Sequence, residues 1–476
     1  MNFARDVVDA APPHRPALIA LGRDGSRREI AFGEVADRSA RLAGMLAAHG
    51  IGAGDVVLTL IGNRPEWVEA MVACFRIGAV VLPCNEQLRA RDLRLRLAVA
   101  APALIVADER NLPELEAAAP DCPVLAIPDE TLYDAPPAPA ADLAPEDPCL
   151  IVFTSGTSGE PKAAVHVQRY LPGQRVQAEH WFGPRPGELA WCTAASGWSK
   201  SARNVFIAPW LRGATGLLHD GRFDPDERLD LLERERVAVL CMAPTEYRVI
   251  AQRGRPRPIA GLRGLVAAGE ALDPDTLGAW REATGVEIRD GYGQTETGQT
   301  TGNPVDAAAR PGSMGKPLPG MRLWVEDGEL VLDPATVPTF FGHYVGEPPP
   351  QGTWHTGDRV RQDDDGYLYF EGRSDDLIIS AGYRIGPIEV ESALVEHPAV
   401  AEAAVVPHPD DERGSVVRAV IVLREGFAAT DSLAREIQDH VKGATAPYKY
   451  PRVVHFAAEL PKTASGKVRR AALREP

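Results

Sequence analysis

The segment Thr154-Ser155-Gly156-Thr157-Ser158-Gly159-Glu160-Pro161-Lys162 directly follows an apolar, β-branched run at residues 149–153. Glycines let the backbone approach an anion closely, and the Ser and Thr hydroxyls add further hydrogen-bond donors. Lys162 adds a compact positive charge in a chain that uses Arg for nearly all its other positive charge. The segment therefore predicts a polyphosphate-binding loop, with a flexible surface turn as the alternative. It is not a Walker A loop, because the order G-x-x-x-x-G-K-[ST] is absent.

Outward from this segment, short apolar runs alternate with helical patterns. Apolar residues recur at helical spacing over residues 65–77, which predicts a helix. Strand–helix–strand alternation indicates a layered α/β fold with mostly parallel sheets. Strands are predicted at residues 55–61, 78–83, 103–106, 149–153 and 237–242.

The segments become shorter from Gly366 onward, which predicts a second domain. Strands are expected at residues 367–370, 377–379, 400–406 and 416–423, and helices at 387–396 and 432–442. We predict an α/β protein with a large N-terminal multi-sheet α/β domain, residues 1–373, and a small mobile α+β C-terminal domain, residues 374–476. Residues 135–148 are rich in Pro and Ala and are predicted to form a loop of the large domain.

Length and composition exclude several classes of protein. A chain of 476 residues is too long for one ordinary core. A net charge of -15 argues against nucleic-acid binding, although a mononucleotide needs only a few local donors. The six cysteines show no zinc-site spacing and indicate a reducing compartment. No signal peptide or membrane-spanning run is apparent, so we expect a soluble, cytoplasmic protein without a membrane partner.

A second candidate segment is Asp290-Gly291-Tyr292-Gly293-Gln294-Thr295-Glu296-Thr297, predicted as a loop after a short strand at residues 286–288. It offers an aromatic face for a base, a hydroxyl for a phosphate and a carboxylate for Mg²⁺. It is not a dinucleotide-binding fingerprint, since Glu296 stands where the third glycine belongs.

Three shorter segments, also predicted as loops or linkers, each leave two interpretations open. Asp358, after Thr-Gly, could accept both hydroxyls of a ribose, although an Asp that closes a turn is commoner. Residues 371–376, followed by 380–384, suit a hinge at a domain boundary or a solvated linker. Lys467 ends a Gly/Ser loop at residues 461–467 and could either reach a cleft or lie on a solvated tail.

Taken together and in this order, the motifs TSGTSGEPK, YGQTE, TGD, GRSDD and PKTASGK resemble the adenylate-forming superfamily of acyl-CoA synthetases, carrier-protein adenylation domains and luciferases. The resemblance covers nearly the whole chain. Residues 197–201, 380–387 and 446–452 look most like those of acetyl- and medium-chain acyl-CoA synthetases.

The resemblance implies a role for each position. Tyr292 would lie against adenine with Gly269 and Glu270 on its other side, Thr295 would contact the α-phosphate, and Glu296 would hold Mg²⁺. Lys467 would be the mobile catalytic lysine. Phosphate contacts would come from Thr154, Ser155, Gly156, Thr157, Ser158, Gly159 and Lys162, and further ATP contacts from Asp290, Gly291, Gly293, Gln294, Asp358 at the ribose, Arg373 and Arg384.

The remaining implied roles concern domain movement and the acyl and CoA sites. Asp375 would be the hinge, Gly382 would line the pantetheine tunnel, and Lys442 would contact the acyl group or CoA. Trp198 would wall the acyl pocket or gate the tunnel, with a plain core aromatic as the alternative.

The implied function is an ATP-dependent acyl-CoA synthetase that uses ATP, Mg²⁺ and coenzyme A. It would activate a short- to medium-chain, branched or related monocarboxylic acid as acyl-AMP, release pyrophosphate and transfer the acyl group to CoA. No unpaired charge is obvious near Trp198, Ala267, Gly291 and residues 245–247, which favours an apolar acid over a dicarboxylate. The alternatives are an adenylation enzyme that loads a carrier protein and a catalytically silent nucleotide-binding regulator. The oligomeric state stays open.

Overall fold

The structure is a computed structural model, and it describes residues 1–154, 161–270, 272–376, 378–380, 383–410, 413–445, 448–462 and 468–474. The chain forms two compact units. Unit 1 contains residues 1–154, 161–322 and 333–352, and unit 2 contains residues 323–332 and the described residues from 353 onward. The sequence predicts that residues 374–476 move as one body, with the domain boundary after Arg373. That boundary stays a prediction.

The strands are β1 Pro16–Leu21, β2 Arg27–Ala31, β3 Val56–Leu60, β4 Val80–Cys84, β5 Leu104–Asp108, β6 Val124–Ile127, β7 Pro148–Phe153, β8 Ala163–Val167, β9 Leu189–Cys192, β10 Thr215–His219, β11 Val239–Cys241, β12 Gly264–Ala268, β13 Ile288–Gln294, β14 Gly298–Gly302, β15 Lys316–Pro317, β16 Leu323–Glu326, β17 Glu329–Leu332, β18 His343–Tyr344, β19 Trp354–Gln362, β20 Leu368–Arg373, β21 Ile378–Ser380, β22 Tyr383–Ile385, β23 Val400–Asp410, β24 Gly414–Leu423 and β25 Val453–Phe456.

The α-helices are α1 Phe32–Ala48, α2 Pro65–Ile77, α3 Ala90–Ala100, α4 Leu112–Ala118, α5 Tyr170–Gln177, α6 Ala208–Leu211, α7 Pro225–Arg234, α8 Pro244–Val249, α9 Pro274–Thr284, α10 Pro387–Val395 and α11 Asp431–Ala444. Helix α2 shows why the local sequence decides these bounds. It begins at Pro65, whose fixed φ suits the first turn, and it ends before Gly78, whose φ of 77° is left-handed. No helix of the described residues has the length and apolar character needed to cross a membrane.

Unit 1 is built on two large sheets. The first has the strand order β15-β14-β13-β12-β11-β9-β10-β1-β2, and the second has the order β18-β8-β7-β4-β3-β5-β6. Strands β1 and β9–β13 run parallel to one another in the first sheet, and β3–β7 run parallel to one another in the second. Strands β2, β14 and β8 pair antiparallel with β1, β13 and β7. Each sheet has its own apolar core, the first including Trp191 and Trp280 and the second including Leu58 and Ile105. Ligands bind at the carboxyl ends of such parallel strands, so these ends are where a site is expected.

Unit 2 contains the antiparallel sheet β16-β17-β19-β20, the hairpin β21-β22 and the sheet β23-β24-β25. Helices α10 and α11 lie against each other, and their core includes Val390, Ile437 and Ile421. The predicted fold class, a large multi-sheet α/β part with a smaller α+β part, is confirmed.

Some segments that we predicted as loops are strands. Strand β13 extends from Ile288 to Gln294, so the prediction of a loop at residues 290–297 is wrong for residues 290–294. Glycines make this strand possible beside β14, because a Cβ on Gly293 would lie 1.8 Å from the carbonyl oxygen of Gly298. Asp358, which we predicted to lie in a loop or linker, likewise belongs to a strand, β19, which pairs with β17 and β20.

Candidate active site

The base of the predicted phosphate loop is closed by backbone hydrogen bonds at the end of β7. The amide of Thr154 donates to the carbonyl of Lys162 at 2.8 Å, and the amide of Lys162 donates to the Thr154 hydroxyl at 3.2 Å. Ser155, Gly156, Thr157, Ser158 and Gly159 lie outside the described residues. Thr154 and Lys162 are therefore held side by side at the carboxyl end of a parallel strand.

A tyrosine that sequence analysis did not identify lies between Lys162 and Glu296. The Lys162 Nζ atom lies 4.7 Å from the centroid of the Tyr344 ring. The Tyr344 hydroxyl donates to Glu296 Oε1 at 2.6 Å, and Lys162 also forms a 3.0 Å ion pair with Glu347. The structure thus places the loop lysine and the predicted metal ligand on the same tyrosine. Tyr344 is 48 residues beyond Glu296, and no sequence pattern marks it.

The hairpin of β13 and β14 carries the predicted adenine contacts. Asp290 and Tyr292 are buried, whereas Gly293, Gln294 and Thr295 are half-buried. Burial raises the pKa of Asp290 to about 8, although the amide of Gly291 donates to its carboxylate at 2.8 Å. Asp290 is therefore largely protonated at neutral pH.

The segment after β12 lies at the carboxyl end of its sheet. Gly269 has a φ of 105°, which favours glycine. The side chain of Lys200 donates to the carbonyl of Ala268 at 2.6 Å, and Glu270 accepts a 3.0 Å hydrogen bond from Thr245. Lys200 and the Gly269 segment are thus adjacent at one edge of the sheet.

Trp198 lies on a loop that connects the two sheets of unit 1. Ser196 donates from its hydroxyl to the carbonyl of Ile61 and from its amide to Asn63 Oδ1, both beyond the end of β3. Gly197 has a φ of 86°, and a Cβ on it would lie 2.4 Å from the amide nitrogen of Asn85. Trp198 itself is half-buried, as a pocket wall would be, and it is not a fully buried core aromatic.

In unit 2, the structure brings Asp358 and Arg373 together as partners across β19 and β20. Arg373 Nη1 donates to Asp358 Oδ1 at 3.0 Å and to the carbonyl of Thr356 at 3.2 Å. Asp358 is 5% exposed, so its carboxylate is buried against a guanidinium. The pairing of these two motif residues is a fact of strand register that their sequence separation does not reveal.

The other predicted residues of unit 2 are described only in part. Gly382 and Lys467 lie outside the described residues, and for Asp375 and Arg384 only the backbone is described. Asp375 lies in a short 3₁₀ turn, Ser374–Asp376, and Arg384 lies in β22. Lys442 is exposed near the end of α11, with its Nζ 5.3 Å from the Tyr450 ring centroid.

The donor set around Glu296 fits a magnesium ion that is held mainly by substrate phosphates. Within the described ranges, no group of three or more His, Cys, Asp or Glu side chains could enclose a metal ion. Mg²⁺ commonly takes one or two protein carboxylates, with phosphate oxygens and waters completing its octahedron. A single half-buried carboxylate, bonded to the tyrosine that Lys162 contacts, meets that requirement.

Comparisons with known proteins extend over the whole chain. The family model of AMP-binding enzymes matches residues 5–342, and that of the AMP-binding enzyme C-terminal domain matches residues 389–467. The chain is 38% identical over 522 residues to the mitochondrial acyl-coenzyme A synthetase ACSM4 of Rattus norvegicus, covering 100% of this chain and 90% of that protein. It is 36% identical to the uncharacterized acyl–CoA ligase YtcI of Bacillus subtilis (strain 168), covering 98% and 94%. The crystal structure of the anthranilate CoA ligase AuaEII in complex with anthranoyl-AMP superposes with a TM-score of 0.88 at 28% identity, covering 99% of this chain and 96% of that one.

Proposed function

The chain belongs to the family of AMP-binding enzymes, and on that premise we propose that it is an ATP-dependent acyl-CoA synthetase, an acid–thiol ligase that forms AMP. It activates a carboxylic acid as acyl-adenylate with release of pyrophosphate and then transfers the acyl group to coenzyme A. One observation carries this proposal beyond family membership. Lys162 and the Glu296 carboxylate contact the same tyrosine, which brings a cation for phosphate oxygens and a carboxylate for a metal ion close together.

The first half-reaction has to bring two anions together. The carboxylate attacks the α-phosphorus of ATP, so positive charge must already be in place where negative charge accumulates. Glu296 would hold Mg²⁺, which supplies positive charge to the phosphate oxygens when bound. We propose that Thr295 contacts the α-phosphate and that Lys467 adds its ammonium group. One such preorganised donor is worth ~3 kcal/mol, or ~10²–10³ in rate.

The nucleoside would be held by aromatic and acidic residues. We propose that Tyr292 lies against adenine with Gly269 and Glu270 opposite. We propose that Asp358 accepts both ribose hydroxyls while Arg373 holds its carboxylate in place. The Asp358–Arg373 hydrogen bond supports this role, because a fixed carboxylate binds a diol without further ordering of its side chain.

The second half-reaction needs a different arrangement. A thiol must reach the acyl carbon, and a lysine loop beside that carbon would obstruct it. We propose that residues 374–476 rotate about Asp375, which withdraws Lys467 and presents Gly382 to the pantetheine arm. Trp198 and Lys442 are proposed contacts of the acyl group or CoA.

A cytoplasmic location is proposed from the thiols. All six cysteines are free, and all but Cys122 are buried. Unpaired thiols are stable in a reducing compartment.

A panel of carboxylic acids tests the proposed function. Each acid is incubated with the protein, MgATP and CoA, and both AMP and acyl-CoA are quantified. We expect at least one acid to yield equal amounts of the two products. AMP formation that requires a carrier protein in place of CoA would support the carrier-loading alternative. Nucleotide binding without α-phosphorus cleavage for any acid would support the silent regulator.

A further inference from the structure

A buried arginine lies in unit 1 without a counterion. Arg203 begins a short π-helical turn, Arg203–Ile207, and is 4% exposed. Its Nε and Nη1 atoms have no hydrogen-bond partner among the described residues, and within those residues it forms no ion pair. A buried charge without a partner is strongly unfavourable, so its retention calls for an explanation.

The side chains around Arg203 do not neutralise it. Burial lowers the pKa of His166 to about 3, and the charges of Arg203 and Arg169 lower it further, so the imidazole is neutral. Burial raises the pKa of Tyr170, with the Arg203 guanidinium opposing that shift, so the phenol is neutral too. Neither His166 nor Tyr170 therefore supplies an anion to Arg203.

The same region contains other buried polar atoms without partners. Gln174 Nε2 and Gln177 Oε1 have none within the described part of the chain. Gln177 Nε2 does donate to Asn204 Oδ1 at 2.8 Å, which joins α5 to the turn of Arg203. The interior beside Arg203 thus has unused hydrogen-bonding capacity on two neighbouring elements.

Arg203 and the unpartnered polar atoms beside it lie close to residues of the proposed acyl site. Asn204 contacts Cys241 Sγ at 3.7 Å, at the carboxyl end of β11, and Lys200 contacts Ala268, at the carboxyl end of β12. The backbone of Thr295 slightly offsets the lowered pKa of His166 through a hydrogen-bonding interaction. The His166 ring therefore lies beside the hairpin of β13 and β14. Arg203 accordingly lies in the interior between the Trp198 loop and that hairpin.

We propose that Arg203 binds a second hydrogen-bond-accepting group of the acid substrate, at the end away from the reacting carboxylate. This inference rests on the proposed function and narrows its substrate class. A distal carboxylate or carbonyl oxygen would accept from the Nε and Nη1 groups of Arg203, which have no partner among the described residues, and a guanidinium donates to such oxygens with a fixed fork geometry. An apolar acid has no distal acceptor and would leave Arg203 unpaired. The sequence favours such an acid only because Arg203 is not among the pocket residues that it predicts.

Matched acids test the inference. Pyrophosphate exchange is measured with hexanoate, 5-oxohexanoate and hexanedioate, and with benzoate and 3-carboxybenzoate, for the wild type and for Arg203→Met. We expect the wild type to prefer the acid with the second acceptor in at least one series. Arg203→Met should lower that preference, as a ratio of kcat/KM values, by roughly 10–100-fold while the unsubstituted acid is retained.

Two further variants separate binding from folding. Arg203→Lys keeps the charge but loses the fork, and it should keep part of the preference. Arg76→Met removes another buried guanidinium, one paired with Asp9, and should leave the preference unchanged.

The possible results decide between the two proposals. A wild type that prefers unsubstituted acids, or an Arg203→Met variant that loses activity equally with every acid, would overturn the inference and leave the synthetase proposal intact. Failure of every acid to support exchange would overturn both.

Discussion

Replacing Tyr344 by Phe should weaken magnesium binding about tenfold while the reaction itself is preserved at high Mg²⁺. The Tyr344 hydroxyl donates to Glu296 Oε1 at 2.6 Å, a length typical of a hydroxyl bonded to a carboxylate. Such a bond contributes about 1.5–3 kcal/mol. Glu296 is half-buried, so water replaces part of the lost donor and the lower value applies. Partners of metal ligands change metal affinity by about 10–100-fold, and about 1.4 kcal/mol corresponds to tenfold.

The assay measures pyrophosphate release at fixed ATP while free Mg²⁺ is varied, and Mn²⁺ binding in the presence of ATP is followed by electron paramagnetic resonance. The Phe ring preserves the surface on which Lys162 lies, 4.7 Å from the centroid, so the phosphate loop should keep that contact. Tyr133→Phe is the matched control, because it removes a 2.5 Å tyrosine–glutamate bond to Glu69, which has no predicted part in nucleotide binding. Identical magnesium titrations for wild type and Tyr344→Phe, or a rate loss that high Mg²⁺ does not restore, would refute the reasoning.

Three further substitutions test other parts of the site. Lys467→Ala should slow acyl-adenylate formation by ~10²–10³ and spare thioester formation from supplied acyl-adenylate; equal losses in the two half-reactions measured separately would contradict the two-role proposal. Asp358→Ala should raise the KM for ATP by roughly 10–100-fold, since it removes a fixed acceptor for the ribose hydroxyls, and an unchanged KM would exclude the ribose role. Burial raises the pKa of Asp290 to about 8 from 3.8, so the native state holds a proton that the unfolded chain releases. Stability should therefore fall with rising pH over this window, by at most about 1.4 kcal/mol per pH unit, and Asp290→Asn should abolish that slope in denaturant titrations.

The sequence allowed prediction of elements whose signals are local. Local residues mark both boundaries of the helix Pro65–Ile77, with Pro in the first turn and Gly78 after the last turn. The strand before Thr154 is likewise a short buried run that ends where polar residues begin. Such features require no knowledge of distant neighbours.

Contacts between distant segments could not be predicted in the same way. Asp358 and Arg373 were both recognised, but their hydrogen bond follows from the register of β19 and β20. Tyr344 was missed because its proposed role depends on Glu296, which lies 48 residues earlier in the turn between β13 and β14. Residues 290–297 were predicted as a loop, whereas Gly291 and Gly293 permit close strand pairing. Arg203 gave no signal, since burial of a charged residue is a tertiary property.

The loop after β9 gives a physical reason why the two sheets of unit 1 can form one site. The base of the predicted phosphate loop follows β7 of the second sheet, whereas Gly269 follows β12 and Tyr292 lies in β13 of the first. A nucleotide held at both places requires a constant distance between the two sheets. Ser196 bonds beyond β3, and Gly197 approaches the backbone after β4 so closely that no Cβ fits. The same loop continues through Trp198 to Lys200, which contacts the end of β12. This segment therefore contacts both sheets and helps to fix the separation of the proposed phosphate and adenine positions, and the proposed acyl wall at Trp198 lies between its two anchors.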